Sequence, residues 1–472
     1  MKYLSIVFFV VMYSGLILLA GGENAIVFFF ASVILSAVAI YNVYKYVKTP
    51  TEICLFDFFA TSLLIAYALS SLTTQLKIYS LKSIDVAHYF SLNQYSLSVA
   101  LASVAFASAI LFFLGQLFPA KIEFPILSKK QIREGLWMII FVTGSAIYCI
   151  ATGLMQFQGI IFVEGSNHSI SPFASIVYFS IMPAGILAMF LASGNHEMSR
   201  FNRWLFYALA ITLWIITFTQ ARRMLVYMAF LYLIFYAFDT SGRSSWRQKM
   251  LFSAAVFPVA YLGIKLFYAF RIAAWDLSPG INDPLQMLQI GFDVFTHPAK
   301  YDLDYQLTEN SLDRPFVLRY LSQIIDRMNF NNWFSGQAVY ATLLVSIPSA
   351  FIGAKNFMVD EDLIHPKIGL PVNDEANTIL TAGVVDFGWL GLLLFPVFTL
   401  IFLQCIIFLV KKLKIDWFTY FTIFSVLTVL LNIENSMAQY WSVARSILII
   451  LMLVLGIKYL LNTIFYRQRG FA

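Results

Sequence analysis

Apolar stretches of the kind that cross a lipid bilayer recur along the whole chain. A membrane-spanning helix needs about 20 mainly apolar residues, and twelve stretches of this character can be marked in the 472 residues. Composition agrees, because 60% of the residues are hydrophobic and only 12% are charged. Soluble chains are roughly half apolar and about one-quarter charged. The sequence therefore predicts an all-α polytopic membrane protein and excludes a secreted domain, a cytosolic enzyme, a nucleic-acid binder and a transmembrane β-barrel.

The twelve stretches have aromatic residues at many of their ends, as expected at membrane interfaces. They cover residues 3–20, 25–44, 54–72, 97–117, 136–155, 172–192, 204–218, 224–238, 250–270, 387–410, 417–431 and 443–459. The first follows Lys2 and precedes Ala20-Gly21-Gly22, a pattern that also fits a signal peptide. Because the second stretch begins so soon after it, we expect a retained helix.

Basic residues predict the orientation. With the N-terminus in the cytoplasm, 18 of the 31 lysines and arginines fall in short cytoplasmic loops and tails, against five in short outside loops. This bias predicts that both termini are cytoplasmic. The expected organisation is a single membrane domain with nine spans in residues 1–270, a long outside loop at 271–376 and three spans in 377–472.

The long outside loop is expected to be partly helical. Residues 314–330 place Val317, Leu321 and Ile324 on one helical face and Arg319 and Arg327 on the other. Two interpretations stay open: an amphipathic helix that lies on the membrane surface, or a lid whose basic face points into a cavity. The apolar segment 343–351 is too short to span and is expected to be interfacial or re-entrant.

Cofactor motifs are missing from the sequence. It has no Walker A, dinucleotide-binding or His-Glu-x-x-His pattern, which predicts no cofactor and no metal. Asp302-Leu303-Asp304 resembles a metal-nucleotide pair, but it is expected outside the cytoplasm, where nucleotide sugars are not supplied. Cys54, Cys149 and Cys405 lie in apolar stretches and are expected to be small core residues.

The most informative short stretch contains two adjacent arginines. Arg222 and Arg223 occupy a tight outside turn between two apolar stretches, against the charge bias of the other loops. They can be headgroup anchors that reach the interface. Alternatively, they form an anion site, because guanidinium groups match phosphate oxygens in a bidentate manner.

Other cations are expected on the same side as this arginine turn. They are Lys265, Arg271, Arg314, Arg319, Arg327 and Arg445. Taken singly, each is a candidate surface charge or salt-bridge partner. Together they indicate an electropositive outer vestibule, which would suit a substrate with a lipid tail and a pyrophosphate.

Two adjacent carboxylates, Asp374 and Glu375, are expected where the long loop re-enters the membrane. Partial desolvation would raise the pKa of such a group and make it a better general base. The other interpretation is helix capping by Asn373 or Asp374. His365 is expected to be a solvated loop residue or an alternative base, and the glycines at positions 388 and 391 are expected to permit close helix packing.

These features together resemble a known family. Four features carry the resemblance: the arginine turn, the long periplasmic loop, Ile347-Pro348 with Lys355 downstream, and Glu375 leading into Phe387-Gly388-Trp389-Leu390-Gly391. In these features the chain resembles the Wzy-type O-antigen polymerases, which polymerise oligosaccharide repeat units. The sharper motifs lie within residues 217–391. One departure is Ser349, where an arginine often follows the loop proline.

The resemblance implies a C-type glycosyltransferase (GT-C) architecture in the bacterial inner membrane. The enzyme would transfer a growing glycan from its polyprenyl-pyrophosphate carrier to a new lipid-linked repeat unit on the periplasmic side, without a nucleotide sugar and with a chain-length regulator as a partner. The site residues expected on this basis are Arg222, Arg223, Arg271, Arg319 and Arg445 for pyrophosphate, and Glu375 or Asp374 as the base.

Two other functions compete with polymerisation. An O-antigen ligase would transfer finished glycan and typically uses a loop histidine, for which His365 is the candidate. A lipid-linked oligosaccharide flippase or other transporter should show matching halves and charges near mid-membrane. The sequence places its ionisable residues mainly toward the outer side and has one loop that breaks any symmetry.

Overall fold

The structure is a computed structural model. It describes residues 25–48, 53–80, 94–118, 122, 127–155, 171–194, 198–220, 222–237, 246–273, 284–303, 316–328, 333–347, 360–369 and 377–469. These ranges form sixteen α-helices: α1 Ala25–Lys48, α2 Leu55–Ser80, α3 Gln94–Leu117, α4 Lys129–Ala151, α5 Pro172–Ser193, α6 Arg200–Ile216, α7 Arg222–Ala237, α8 Trp246–Ile272, α9 Pro284–Thr296, α10 Phe316–Arg327, α11 Gln337–Ser346, α12 Asp360–Ile368, α13 Ile379–Phe387, α14 Gly391–Lys412, α15 Asp416–Leu431 and α16 Met437–Arg469.

The described helices confirm an all-α membrane protein. Seven segments are long and apolar enough to cross a bilayer: 26–48, 95–117, 129–151, 173–193, 254–272, 379–412 and 437–460. Helices α2, α7 and α15 contain shorter apolar runs. The predicted stretch 3–20 lies outside the described residues, and the other stretches each coincide with a helix. The total of twelve spans stays a prediction.

Helix α15 forms the centre of the bundle. It contacts α2, α4, α5, α14 and α16, and nearly all of its residues from Trp417 to Leu430 are buried. Its burial on nearly every side is typical of a helix enclosed by others. Its first turn is tied to α4, because the Trp417 indole donates to Glu134 at 3.1 Å.

The apolar stretch at 379–412 is broken rather than continuous. Gly388 has a φ of +59°, a conformation that favours glycine, and one 3-10 turn follows it. The chain folds back so that the backbones of Gly383 and Gly391 touch, and a Cβ on either glycine would collide with the other residue. The expected close packing at Gly391 is thus confirmed, while Gly388 makes the turn and leaves room for the Trp333 ring.

The cysteine prediction holds only in part. Cys54 and Cys149 are buried, but Cys405 is exposed on α14. The prediction of a core position was wrong for Cys405 because a lipid-facing helix is apolar on its outer side as well. Ile401 and Phe408, on the same face of α14, are also exposed.

Helix α10 packs on the membrane helices. It contacts α2, α3 and α13, and Val317, Leu321 and Ile324 are buried as its predicted apolar face. The Asp326 carboxylate accepts a hydrogen bond from Ser96 of α3 at 2.9 Å. The interpretation that this helix lies on the membrane surface was therefore wrong, since protein rather than lipid covers its apolar side.

A buried carboxylate fastens α11 to α13. Asp386 is fully buried and accepts hydrogen bonds from the backbone N–H groups of Gly336 at 2.8 Å, Ala338 at 3.3 Å and Val339 at 3.2 Å. These donors begin α11, where a helix has N–H groups without helical partners. Asp386 thus caps α11 and holds it against the helix break.

Substitution Asp386→Ala is expected to lower the free energy of unfolding by about 2 kcal/mol, because it leaves buried N–H donors without acceptors. Thermal unfolding of the purified protein in detergent measures the change. Asp293→Ala, which removes a carboxylate that is partly exposed, is the matched control. An equal effect of the two substitutions would contradict the capping role.

Candidate functional site: a polar cavity beside the arginine turn

A cavity of about 330 Å³ lies at one end of the bundle. Its walls come from the first half of α5, the turn between α6 and α7, the last half of α15 and the start of α16. All these chain ends belong to the side that the sequence predicts to face away from the cytoplasm. The lining residues are Ser175, Tyr178, Phe179, Met182, Pro183, Gln220, Met224, Ser425, Thr428, Val429, Asn432, Asn435, Gln439, Ser442, Val443, Arg445 and Ser446.

Two helices present polar faces to this cavity. On α15, Ser425 and Thr428 are followed by Asn432, at spacings of three and four residues. On α16, Gln439, Ser442 and Ser446 repeat the same spacing. Residues three and four apart lie on one side of a helix. Each helix therefore turns a polar stripe toward the cavity, and the cavity is suited to a hydroxyl-rich or charged ligand.

The connection between α15 and α16 contributes two buried amides. The Asn432 side chain donates to Asn435 Oδ1 at 2.6 Å, and Asn435 donates to the Val429 carbonyl at 3.3 Å. Asn432 Oδ1 is buried and has no hydrogen-bond partner among the described residues. Buried polar atoms normally have a partner, so this oxygen is an acceptor that the described residues leave unsatisfied.

The α5 wall contains a proline. Pro183 lies inside the helix and has no N–H, so the carbonyl oxygen of Phe179 lacks its usual helical donor. Both residues line the cavity. The proline therefore adds a backbone acceptor at the wall.

The arginine turn borders the same cavity. Gln220 and Met224, which flank Arg222 and Arg223, both line it. The Gln220 amide donates to the Tyr178 carbonyl of α5 at 2.8 Å, which fixes the turn against the cavity wall. Arg222 and Arg223 begin α7, and their side chains lie outside the part of the chain that the structure describes.

Arg445 is the cationic residue among the described lining residues. It is half-buried, and its Nη1 donates to the Ser346 carbonyl at the end of α11 over 3.4 Å. The last predicted stretch began at position 443, but α16 begins at Met437. Arg445 therefore lies in the third turn of the helix, inside the segment 437–460 that is long and apolar enough to span a bilayer, rather than at its opening.

The other candidate residues are distributed more widely. Asp374 and Glu375 lie outside the described residues. Arg319 on α10 and Arg271 at the end of α8 are half-buried, and neither lines this cavity. Arg327 donates to the Gly369 carbonyl at 2.7 Å and so joins α10 to the end of α12. Among the residues expected to form the vestibule, the structure thus places Arg445 in the same cavity wall as Gln220 and Met224, which flank the arginine turn.

Two smaller expectations were wrong. His365 is fully buried, and its Nε2 lies 2.9 Å from the Tyr320 hydroxyl, so it is a packed residue rather than a solvated one. The helix at the re-entry point begins at Ile379, and its N-cap is Thr378 rather than Asn373 or Asp374. The Thr378 hydroxyl also lies 2.8 Å from that of Tyr67, which anchors the cap to α2.

Sequence reasoning missed the neutral polar residues of the cavity. The segment Asn432-Ile433-Glu434-Asn435-Ser436 is a polar interruption between two apolar stretches. Ser442 and Ser446 follow it at helical spacing. This polar segment and the two serines together could have indicated a polar wall.

Comparisons with known proteins give no relative. None of the protein-family models, curated proteins or solved structures compared with this chain matches it.

Proposed function

We propose that this protein is a membrane glycosyltransferase that polymerises polyprenyl-pyrophosphate-linked oligosaccharide repeat units. The observation that supports this most is the position of Arg445 in a polar cavity whose other described lining residues are uncharged, inside a segment long and apolar enough to span a bilayer. Charged groups at membrane depth are costly and usually serve a ligand or a water-filled cavity. The adjoining arginine turn would supply two more guanidinium groups.

The reaction requires both charge stabilisation and proton removal. A hydroxyl oxygen of the acceptor repeat unit forms a bond to the anomeric carbon of the donor glycan, and the bond from that carbon to the pyrophosphate oxygen breaks. Arg445, with Arg222 and Arg223, would stabilise the negative charge that develops on the departing polyprenyl pyrophosphate. Glu375 or Asp374 would accept the hydroxyl proton.

The neutral cavity wall suits the sugar part of such a substrate. The Gln439 amide and the Ser442 hydroxyl can hydrogen-bond to sugar hydroxyls, and the buried amides of Asn432 and Asn435 support the wall behind them. At about 330 Å³ the cavity is near the lower end of ligand pockets. It would therefore enclose the reacting group, with the lipid tail and the rest of the glycan outside.

The proposal includes a topology. The protein would have twelve spans, a GT-C-like architecture, cytoplasmic termini in a bacterial inner membrane and a cavity open to the periplasm. The long loop would contribute α10 and α11, which already pack at the cavity end. A chain-length regulator would be its partner.

A flippase is the second candidate. The broken helix at Gly388 is the observation that favours it, because transporters often build their substrate sites from interrupted helices. The break is filled by Trp333 and the Gly383–Gly391 contact. A filled break offers no passage, so polymerisation is the better-supported function.

Chain growth in proteoliposomes tests the proposal. Purified protein is supplied with lipid-linked repeat units, and the products are resolved by length. We expect wild-type protein to form a ladder without nucleotide sugar and Glu375→Gln and Arg223→Ala variants to form almost none. Near-normal ladders from both variants, at equal yield of folded protein, would reject the proposed site.

A further inference from the structure

A second cavity lies at the other end of α6. It measures about 440 Å³ and is formed by the first turns of α4 and α6. Since α6 has 17 residues, this cavity is about 25 Å along the helix from the arginine turn. Its lining residues are Lys129, Lys130, Ile132, Arg133, Leu136, Met198, Ser199, Asn202 and Phe206.

The charged residues among the described lining of this cavity are all basic. Lys129 and Arg133 are four residues apart and share one face of α4, and Lys130 is adjacent. No carboxylate is among the described lining residues. Glu134, the nearest acid in sequence, is engaged elsewhere, because it accepts from Trp417 at 3.1 Å and lies 3.8 Å from Lys458. Neighbouring lysine and arginine side chains can bind an anion through charge-assisted hydrogen bonds.

Exposed aromatic residues indicate the depth of this cavity. Trp204 is 72% exposed and Trp137 65% exposed on the two helices that form it. Tryptophan at such positions is typical of the membrane interface. Trp137 follows the lining residue Arg133 by four residues, or about 6 Å along α4. The cations therefore lie at the level of lipid headgroups.

The cavity also has an apolar wall. Ile132 lies level with the cations in the first turn of α4, and Leu136 lies one turn further into the helix; both are partly buried. A basic mouth above an apolar wall matches an amphipathic ligand. A small soluble phosphate would use only the mouth.

We propose that this cavity binds an anionic phospholipid, with the headgroup phosphate against Lys130 and Arg133 and an acyl chain along the partly buried Ile132 and Leu136. Lysine and arginine side chains recognise phosphate oxygens by charge-assisted hydrogen bonds. Juxtamembrane basic clusters attract anionic lipids of the cytoplasmic leaflet, which is the side that the charge bias predicts for this end. The proposal does not depend on the proposed function.

Lipid binding to the purified full-length protein in detergent tests this site. Native mass spectrometry measures the bound fraction during titration with phosphatidylglycerol or phosphatidylcholine. We expect wild-type protein to bind phosphatidylglycerol about tenfold more tightly. The double substitution Lys130→Gln with Arg133→Gln should remove this preference, and Asn202→Trp, which obstructs the mouth, should do the same without a change of charge.

The matched control is Lys411→Gln with Lys412→Gln, which removes the same charge from two exposed lysines outside the cavity. It should retain the preference, with unchanged thermal unfolding in all variants. Three results would overturn the proposal: equal loss in the control, no preference in wild type, or displacement of the lipid by an equal concentration of glycerol 3-phosphate, which would indicate a soluble ligand.

Discussion

Replacing Arg445 by alanine will lower the rate of glycan chain growth by about 10²- to 10³-fold, the usual effect of removing one group that stabilises developing negative charge. Arg445 is the cation in the described lining of the polar cavity. Without it, the departing pyrophosphate would lose a guanidinium partner in a place that water screens poorly. Single-turnover chain growth in proteoliposomes measures the effect. Arg445→Lys should recover part of the rate, because lysine retains the charge but not the bidentate geometry.

The matched control for this prediction is Arg247→Ala. Arg247 is exposed in the first turn of α8, at the end of that helix expected on the cytoplasmic side. The Arg247→Ala variant should extend glycan chains at a rate within about twofold of the wild-type rate. A tenfold change would correspond to about 1.4 kcal/mol of activation free energy. Normal chain growth by a folded Arg445→Ala protein would exclude Arg445 from the chemistry.

Substitution of alanine for Gly383 or Gly391 will lower the free energy of unfolding by more than about 3 kcal/mol, because overpacking that displaces backbone is costly. A Cβ on either glycine would meet the backbone of the other residue rather than a flexible side chain. Relief would require α13 and α14 to separate, and α13 also holds α11 through Asp386. Thermal unfolding in detergent measures the loss.

Gly144→Ala is the control for the glycine contact. Gly144 lies in α4, and a Cβ there would meet nothing within 4 Å. Since alanine has a higher helix propensity than glycine by up to about 1 kcal/mol, this variant should be as stable as the wild type or slightly more stable. Similar unfolding of the Gly391→Ala and Gly144→Ala proteins would show that the close contact is unimportant.

The positions of the helices were predictable from hydropathy, but the break at Gly388 was not. A bilayer demands long apolar helices, and the pattern located them along the described chain. Asp386 and two glycines interrupt an otherwise apolar segment there, but these residues also fit a continuous helix end, so the turn is shown by the positive φ and the Gly383–Gly391 contact. Likewise, the periodicity of α10 showed which face is apolar but not that α2 and α3 cover it.

The part of the candidate site that the sequence analysis predicted was its charged residues. Arg445 stands out in the sequence because a cation among apolar residues is unusual. Ser425 and Thr428 do not stand out, because serine and threonine are common in membrane helices. Hydroxyl groups in membrane helices commonly bond to their own backbone, and Ser425 does so to the Phe421 carbonyl at 2.8 Å. Sequence pattern alone cannot tell such a serine from one that also faces a cavity.

The glycan profile of a strain that lacks this gene tests the central claim most directly. If the protein joins repeat units, the surface glycan of that strain should collapse to single repeats on the acceptor, with chain growth restored by the wild-type gene but not by Arg445→Ala. A full ladder of chain lengths in the null strain would contradict the account. So would a complete absence of transferred glycan, which indicates a ligase, or repeat units held on the inner leaflet, which indicates a flippase.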